Sequence, residues 1–202
     1  MSKRSDTSAP GELAGYEVLV CVCGGIAAYK VCDVVSKLVQ RGAGVTVAMT
    51  DSAEKFVGPV TFQALTGRRV ARSLWAPDED HEVGHIGLSE AADLLLIAPA
   101  TANIIGKIVG GIADDLVSTL ITSAASPVVL APTMNARMWA NPIVQGNVAR
   151  LAEMGYAFVG PEEGWLACRS VGPGRMSDPA GIVDVVVKML TAHPPKVAAG
   201  EA

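Results

Sequence analysis

The chain has 202 residues, half of them hydrophobic, 18% charged and 4% aromatic, with a formal net charge of −4. That length supports one substantial core rather than two domains. The acidic balance and scarce aromatics exclude a basic nucleic-acid face and a base-stacking platform, and no apolar run nears the roughly 20 residues of a spanning helix.

Residues 1–15, MSKRSDTSAPGELAG, lack the apolar core of a signal peptide. They read as a disordered tail, and cytoplasmic residence is the resulting expectation. A single domain is expected over 16–192. The run 16-YEVLVCVCG-24 predicts a buried strand ending in glycine, followed by a helix over 26–41. A second strand, 44-GVTVAMT-50, leads into a helical stretch over 51–67 broken at Gly58-Pro59. A short strand is expected near 69–75 and a polar, exposed loop over 76–84. The apolar run 93-DLLLIAPA-100 predicts a strand, with helices around 102–110 and 113–124. Then come a short strand at 127–132, a helix over 141–154 and a strand at 156–160. A long loop is expected over 161–179, a last helix over 181–192, and a disordered tail over 193–202.

Strands alternating with helices imply β-α-β units. Right-handed crossovers put helices on both faces of a parallel sheet, giving a three-layer α/β fold of about six strands. In such sheets ligands sit beyond the C-terminal strand ends. The unusual segments all lie there: Gly24-Gly25, Thr50-Asp51-Ser52, Pro99–Asn103 and Pro132–Asn135.

Gly24-Gly25-Ile26 opens the first helix, where free N–H groups favour a phosphate. It is neither G-x-G-x-x-G nor a Walker loop, so one phosphate of a mononucleotide fits better than a dinucleotide or ATP. Thr50, Ser52, Thr101 and Asn103 are ligand candidates, yet each residue type also caps helices routinely. His85 stands before a helix and suits proton transfer. The loop 132-PTMNARMW-139 combines large apolar groups with one amide, as a small-molecule pocket does. Cys168 lies in the glycine-rich 164-GWLACRSVGPGRM-176, which reads as a lid whose thiol can deliver a proton. Cys21, Cys23 and Cys32 read as small buried hydrophobes. No C-x-x-C pair exists and none of the three histidines has zinc-ligand spacing, so no metal site is expected.

Gly-Gly-Ile-Ala-Ala-Tyr-Lys at 24–30, Pro-Ala-Thr-Ala-Asn at 99–103, Pro-Thr-Met-Asn-x-x-Met-Trp at 132–139 and Ala-Cys…Gly-x-Gly-Arg-Met at 167–176 occur in one order. As an ordered set they resemble the homo-oligomeric flavin-containing cysteine decarboxylases, from about Tyr16 to Leu190. The resemblance implies a Rossmann-like, flavodoxin-like fold and FMN. Gly24, Gly25 and Ile26 match the family's phosphate-side turn, and Thr50 and Ser52 match a second strand-end contact. Thr101, Ala102, Asn103, Ile104 and Thr133 match positions on the flavin. It implies catalytic roles for His85 and Cys168, a substrate-carboxylate role for Asn135, and substrate contacts at Trp165, Ala167 and Met176.

Within that family, the branch acting on 4'-phosphopantothenoylcysteine is the nearest likeness. Its reaction yields 4'-phosphopantetheine for coenzyme A biosynthesis through transient oxidation to a thioaldehyde, an electron sink for CO2 loss. Peptidyl-cysteine oxidative decarboxylation and non-catalytic flavin-binding regulation are the alternatives; His85 and Cys168 favour the enzyme that completes the cycle. A flavin prenyltransferase and a flavodoxin-like electron carrier fit the motifs and charge less well. The resemblance further implies a trimer or dodecamer with shared sites, and a separate ligase chain in the pathway. Two departures stand out. Arg169 and Ser170 follow Cys168 where the family reads Ala-Cys-Gly, and Ile104 replaces a threonine. If that glycine position needs a positive φ, Arg169 is strained.

Overall fold

Every residue of Leu94–Ala100 (β3) is buried, which is why this strand reads as an uninterrupted apolar run. It is the middle of a five-stranded sheet, in a computed structural model that describes residues 11–75 and 85–196, with His85 described by its backbone alone. The other strands are β1 (Glu17–Val22), β2 (Gly44–Met49), β4 (Val128–Pro132) and β5 (Ala157–Phe158). All pairings are parallel, in the order β2-β1-β3-β4-β5.

Helices cover both faces. Val18, Val20 and Val22 of β1 point to one side, onto α1 (Ala28–Gln40), α2 (Pro59–Thr66) and α8 (Pro179–Leu190). Leu19, Cys21 and Cys23 point to the other, onto α4 (Ala102–Gly110) and α5 (Leu116–Thr122). α3 (His85–Ala91) and α7 (Pro142–Glu153) complete that layer through Leu88 and Leu151. The period-two split of β1 divides the core in two. Each fully buried Leu or Val contributes about 1.5–3 kcal/mol. Cys21 and Cys23 are buried and Cys32 is half-buried.

The central sheet has five strands where about six were expected. The 69–75 stretch contributes only a bridge, Ala71 to Ala48, at the sheet edge. Beside the bridge, Arg68 pairs with Glu17, and Arg72 with Glu54. The expected loop over 161–179 instead holds an antiparallel hairpin, β6 (Glu162–Trp165) and β7 (Val171–Arg175). The loop after β4 contains the short α6 (Ala136–Trp139). Helix starts shift by up to three residues to their caps: Asp115 before α5, Asn141 before α7 and Asp178 before α8. Gly58-Pro59 begins α2, with proline in its first turn.

The described parts of the two expected tails, 11–15 and 193–196, are tied down. Leu13 is fully buried. Lys196 donates from its backbone to Asp93, and from Nζ to the carbonyls of Glu90 and Ala92 at 3.0 and 2.7 Å. It thereby caps the C-terminal end of α3. The 76–84 loop lies outside the described residues, as do 1–10 and 197–202.

From β1 the chain moves to β2 on one side and returns to β3 on the other. The strand order therefore reverses between β1 and β3, where a crevice opens beyond their C-terminal ends.

Candidate active site

At the end of β1, Gly24 lies against the turn after β2. A Cβ on Gly24 would sit 2.3 Å from Ser52 Cβ and 2.8 Å from the Ser52 carbonyl carbon, so only glycine permits this approach. Gly25 has room: a Cβ there would make ordinary 3.7 Å contacts with Pro99 and Thr101. Its missing side chain opens the crevice floor instead. α1 begins just beyond, with no side-chain cap and no acidic residue in its first turn. Its start therefore suits an anion.

Of three polar candidates, Thr50 closes a turn and Thr101 and Asn135 cap helices. Thr50 accepts from the Ala53 N–H (3.2 Å), and Thr101 from the Ile104 N–H (3.3 Å). Asn135 Oδ1 accepts from the Met138 N–H at 2.9 Å. That contact fixes the amide's orientation and leaves its NH2 group free to donate. Thr133, two residues earlier, has its hydroxyl oxygen sealed from solvent with no partner.

The β6–β7 hairpin closes the other side. Gly174 has φ of 118°, and its carbonyl accepts from the Met134 N–H at 3.0 Å. A Cβ at Gly174 would lie 2.2 Å from the Met134 carbonyl oxygen, so the hairpin presses directly onto the loop after β4. Arg175 ties β7 to β6 through Glu162 at 2.9 Å, and that guanidinium holds the Glu162 carboxyl below its usual range. At the tip, the Leu166 N–H donates to the Ser170 carbonyl (2.8 Å) and the Arg169 N–H to the Leu166 carbonyl (2.9 Å). Among the described residues Arg169 is the one non-glycine with positive φ, at 63°. Its position does require the left-handed conformation that glycine adopts more easily.

These elements enclose a cavity of about 960 Å³, near the upper end for ligand sites. It brings together the first three strand-end groups, Gly24, Gly25 and Ile26, Thr50 and Ser52, and Thr101 to Ile104, with Thr133 and Asn135. Trp165, Ala167, Cys168 and Met176 line it from the hairpin. Ile104 and Met176 are also core residues, each 1% exposed. Cys168 is exposed, and its Sγ lies 3.1 Å from Ser170 Oγ. His85 begins α3, and its side chain lies outside the described residues.

Sequence reasoning missed a charged cluster in the wall. Lys107 Nζ bonds Asp114 at 2.5 Å and Asp115 at 2.6 Å. Burial pulls the Lys107 ammonium pKa down, but the two carboxylates outweigh it and leave it raised. Burial pushes the Asp115 carboxyl up, while hydrogen bonds from Lys107 and Ser118 bring it below 3.8 on balance. Asp115 also forms a capping box with Ser118 at the start of α5. Cys23 lines the cavity beside them. Burial first, then Cys21 and Asp115, push its thiol well up against the opposing pull of Lys107, so it stays a neutral wall group. No cluster with three potential metal ligands occurs among the described residues.

The flavoprotein family model matches residues 6–191. The chain belongs to the flavoprotein family. Among its relatives is the coenzyme A biosynthesis bifunctional protein CoaBC of Bacillus subtilis, 48% identical over 171 residues. The match takes in 85% of this chain and 42% of that protein, so this flavoprotein spans well under half of the relative's length. The solved FMN-dependent cysteine decarboxylase SpaF is 36% identical, with a TM-score of 0.75, over 89% of this chain and 97% of that one. A Cys-to-Ser mutant of a PPC decarboxylase, complexed with pantothenoylaminoethenethiol, is 28% identical with a TM-score of 0.78. That alignment covers 88% of this chain and 99% of that one.

Proposed function

We propose that this flavoprotein binds FMN and decarboxylates 4'-phosphopantothenoylcysteine to 4'-phosphopantetheine in coenzyme A biosynthesis. The observation that carries the reading is the convergence of four strand ends and one hairpin on a single cavity at the strand-order reversal. Two relatives support it by what they are named for: coenzyme A biosynthesis in one, FMN-dependent cysteine decarboxylation in another.

The cavity residues fit the cofactor. Gly24, Gly25 and Ile26 would hold its phosphate at the start of α1, beside Thr50 and Ser52. Thr101, Ala102, Asn103 and Ile104 would lie along the ring system. Turning Thr133 about its Cα–Cβ bond would bring its orphaned hydroxyl into the cavity as a donor. Bound FMN supplies the reversible two-electron oxidation of the substrate's sulfur-bearing carbon, which makes loss of CO2 feasible.

The protein's own groups bind, orient and protonate. Asn135 donates its NH2 to the substrate carboxylate, its oxygen being held by Met138. Trp165, Ala167 and Met176 flank the substrate and exclude water. His85, at the start of α3, handles charge during substrate oxidation. After CO2 departs, Cys168 gives its proton to the carbon that carried the carboxylate. Ile26, Tyr29, Met138 and Trp165 are exposed apolar side chains on the cavity rim. A second copy covering them would make a homo-oligomer, a trimer or dodecamer, with shared sites. No helix among the described residues is long and apolar enough to cross a membrane, which accords with a cytoplasmic enzyme working beside a ligase for the preceding step.

A second reading is oxidative decarboxylation of a peptidyl cysteine, since SpaF is named only as an FMN-dependent cysteine decarboxylase and that name fits either substrate. CO2 release separates the two. The FMN-loaded protein should release CO2 from 4'-phosphopantothenoylcysteine and not from a peptide ending in cysteine. Release from the peptide alone, or failure to bind FMN, overturns the proposal.

A further inference from the structure

At the hairpin tip, Cys168 is paired with a side chain that the reaction above leaves unused, Ser170. Cys168 Sγ and Ser170 Oγ stand 3.1 Å apart. In a regular strand, residues two apart share a face but are separated by about 6.6 Å. Here the intervening Arg169 is left-handed, at φ 63°, and the tip closes as a three-residue connection from Leu166 to Ser170. The left-handed residue folds residue 170 back, so the hydroxyl meets the thiol. The strained backbone at Arg169 therefore has a consequence at the site: it brings Ser170 against Cys168, which lines the cavity.

We propose that Ser170 is a positioning residue for Cys168, holding its sulfur and stabilising the thiolate that proton delivery leaves behind. The inference rests on the proposed role of Cys168 as proton donor. A hydroxyl offers one donor and two acceptor lone pairs. Before transfer, either group can donate across the contact. During transfer the S–H bond breaks, the proton goes to the substrate carbon, and the bonding pair stays on sulfur. The Ser170 hydroxyl then turns and donates to the sulfur anion, and solvent returns a proton to complete the cycle. Hydrogen bonds to charged groups are the stronger kind, so the contact is strongest once the proton has left sulfur.

The test is the rate at which iodoacetamide alkylates Cys168 at neutral pH, read from the mass of the peptide containing it. Cys21 and Cys23 are buried, and Cys32 falls in a different peptide. Ser170→Ala should slow Cys168 alkylation about three- to tenfold by removing the donor to the thiolate. Ser170→Thr, which keeps the hydroxyl, should restore the rate to within about twofold. Arg169, the cation beside the thiol in sequence, is unchanged in both variants. A purely structural role predicts the opposite sign, because trimming the serine uncovers the sulfur and speeds alkylation. An unchanged or faster rate in Ser170→Ala, or failure of the threonine to rescue, overturns the proposal. The assay needs neither FMN nor substrate. Absence of CO2 release by the wild-type protein would therefore sink the functional reading and leave this result standing.

Discussion

Thr133→Val replaces a hydroxyl with a methyl of similar size in the cavity wall. The Thr133 oxygen is sealed from solvent and meets no partner, although the residue as a whole is only half-buried. An unsatisfied buried hydroxyl costs about 1–3 kcal/mol. Partial exposure of the residue places this one at the low end, so the variant should stabilise the flavin-free protein by about 1 kcal/mol. In a chain of this size that raises the melting midpoint by about 2–4 °C. The same hydroxyl, turned into the cavity, is the one proposed to meet the flavin. Its loss should weaken FMN binding by roughly 0.5–1.5 kcal/mol, about two- to tenfold. Urea unfolding of the flavin-free protein and titration of FMN fluorescence measure the two effects. The prediction is a pair of opposite signs: a more stable apoprotein and a weaker complex. A variant that is less stable without flavin, or that binds FMN as tightly as wild type, refutes the reasoning.

Gly24→Ala should cost about 1–3 kcal/mol of stability and most FMN binding, since its Cβ would press on Ser52 backbone; normal FMN affinity would show that the two turns part easily. Asp115→Ala removes a capping box and one partner of Lys107, and should cost about 1 kcal/mol at neutral pH by urea unfolding. The Asp114 and Asp115 carboxyls sit below 3.8 in the folded chain, so the stability they confer is present above that pH and fades as pH falls through the lowered values. The gap between wild type and Asp115→Ala should close in acid, and a gap that widens there contradicts the assignment. Arg169→Gly should raise stability by up to about 1 kcal/mol by relieving the left-handed residue; a loss of stability would show that the arginine makes a compensating contact.

β3 was readable because burial on both faces leaves one unbroken apolar run. The break before α2 was readable because Gly58-Pro59 forbids a continuous helix. The hairpin was not: β7 reads Val-Gly-Pro-Gly-Arg, a composition that signals a loop, and only its pairing with β6 and its press on Met134 make it a strand. Opposed charges at Glu162 and Arg175 were the available hint. The cavity residues at 24–26, 50–52, 101–104 and 133–135 were legible from their positions at strand ends, yet sequence could not separate a cap from a ligand. Thr101 and Asn135 are caps in the fold, Thr50 closes a turn, and all three line the cavity as well. Lys107 and Asp115 were invisible as site residues because eight positions and a turn separate them, and only the packing of α4 on α5 joins them. The question raised by Arg169 was visible in sequence as an arginine at a glycine's place; its partner Ser170 emerges only from the folded tip.

The most direct test of the account is the mass of the product formed from 4'-phosphopantothenoylcysteine by the FMN-loaded wild type and by Cys168→Ser. Wild type should yield the substrate less CO2, the fully reduced 4'-phosphopantetheine. A serine hydroxyl is far too weak an acid to replace the thiol, so the variant should still release CO2 but accumulate the ene-thiol, lighter than the normal product by two hydrogens. Fully reduced product from Cys168→Ser at the wild-type rate, or an ene-thiol from the wild type itself, would contradict it.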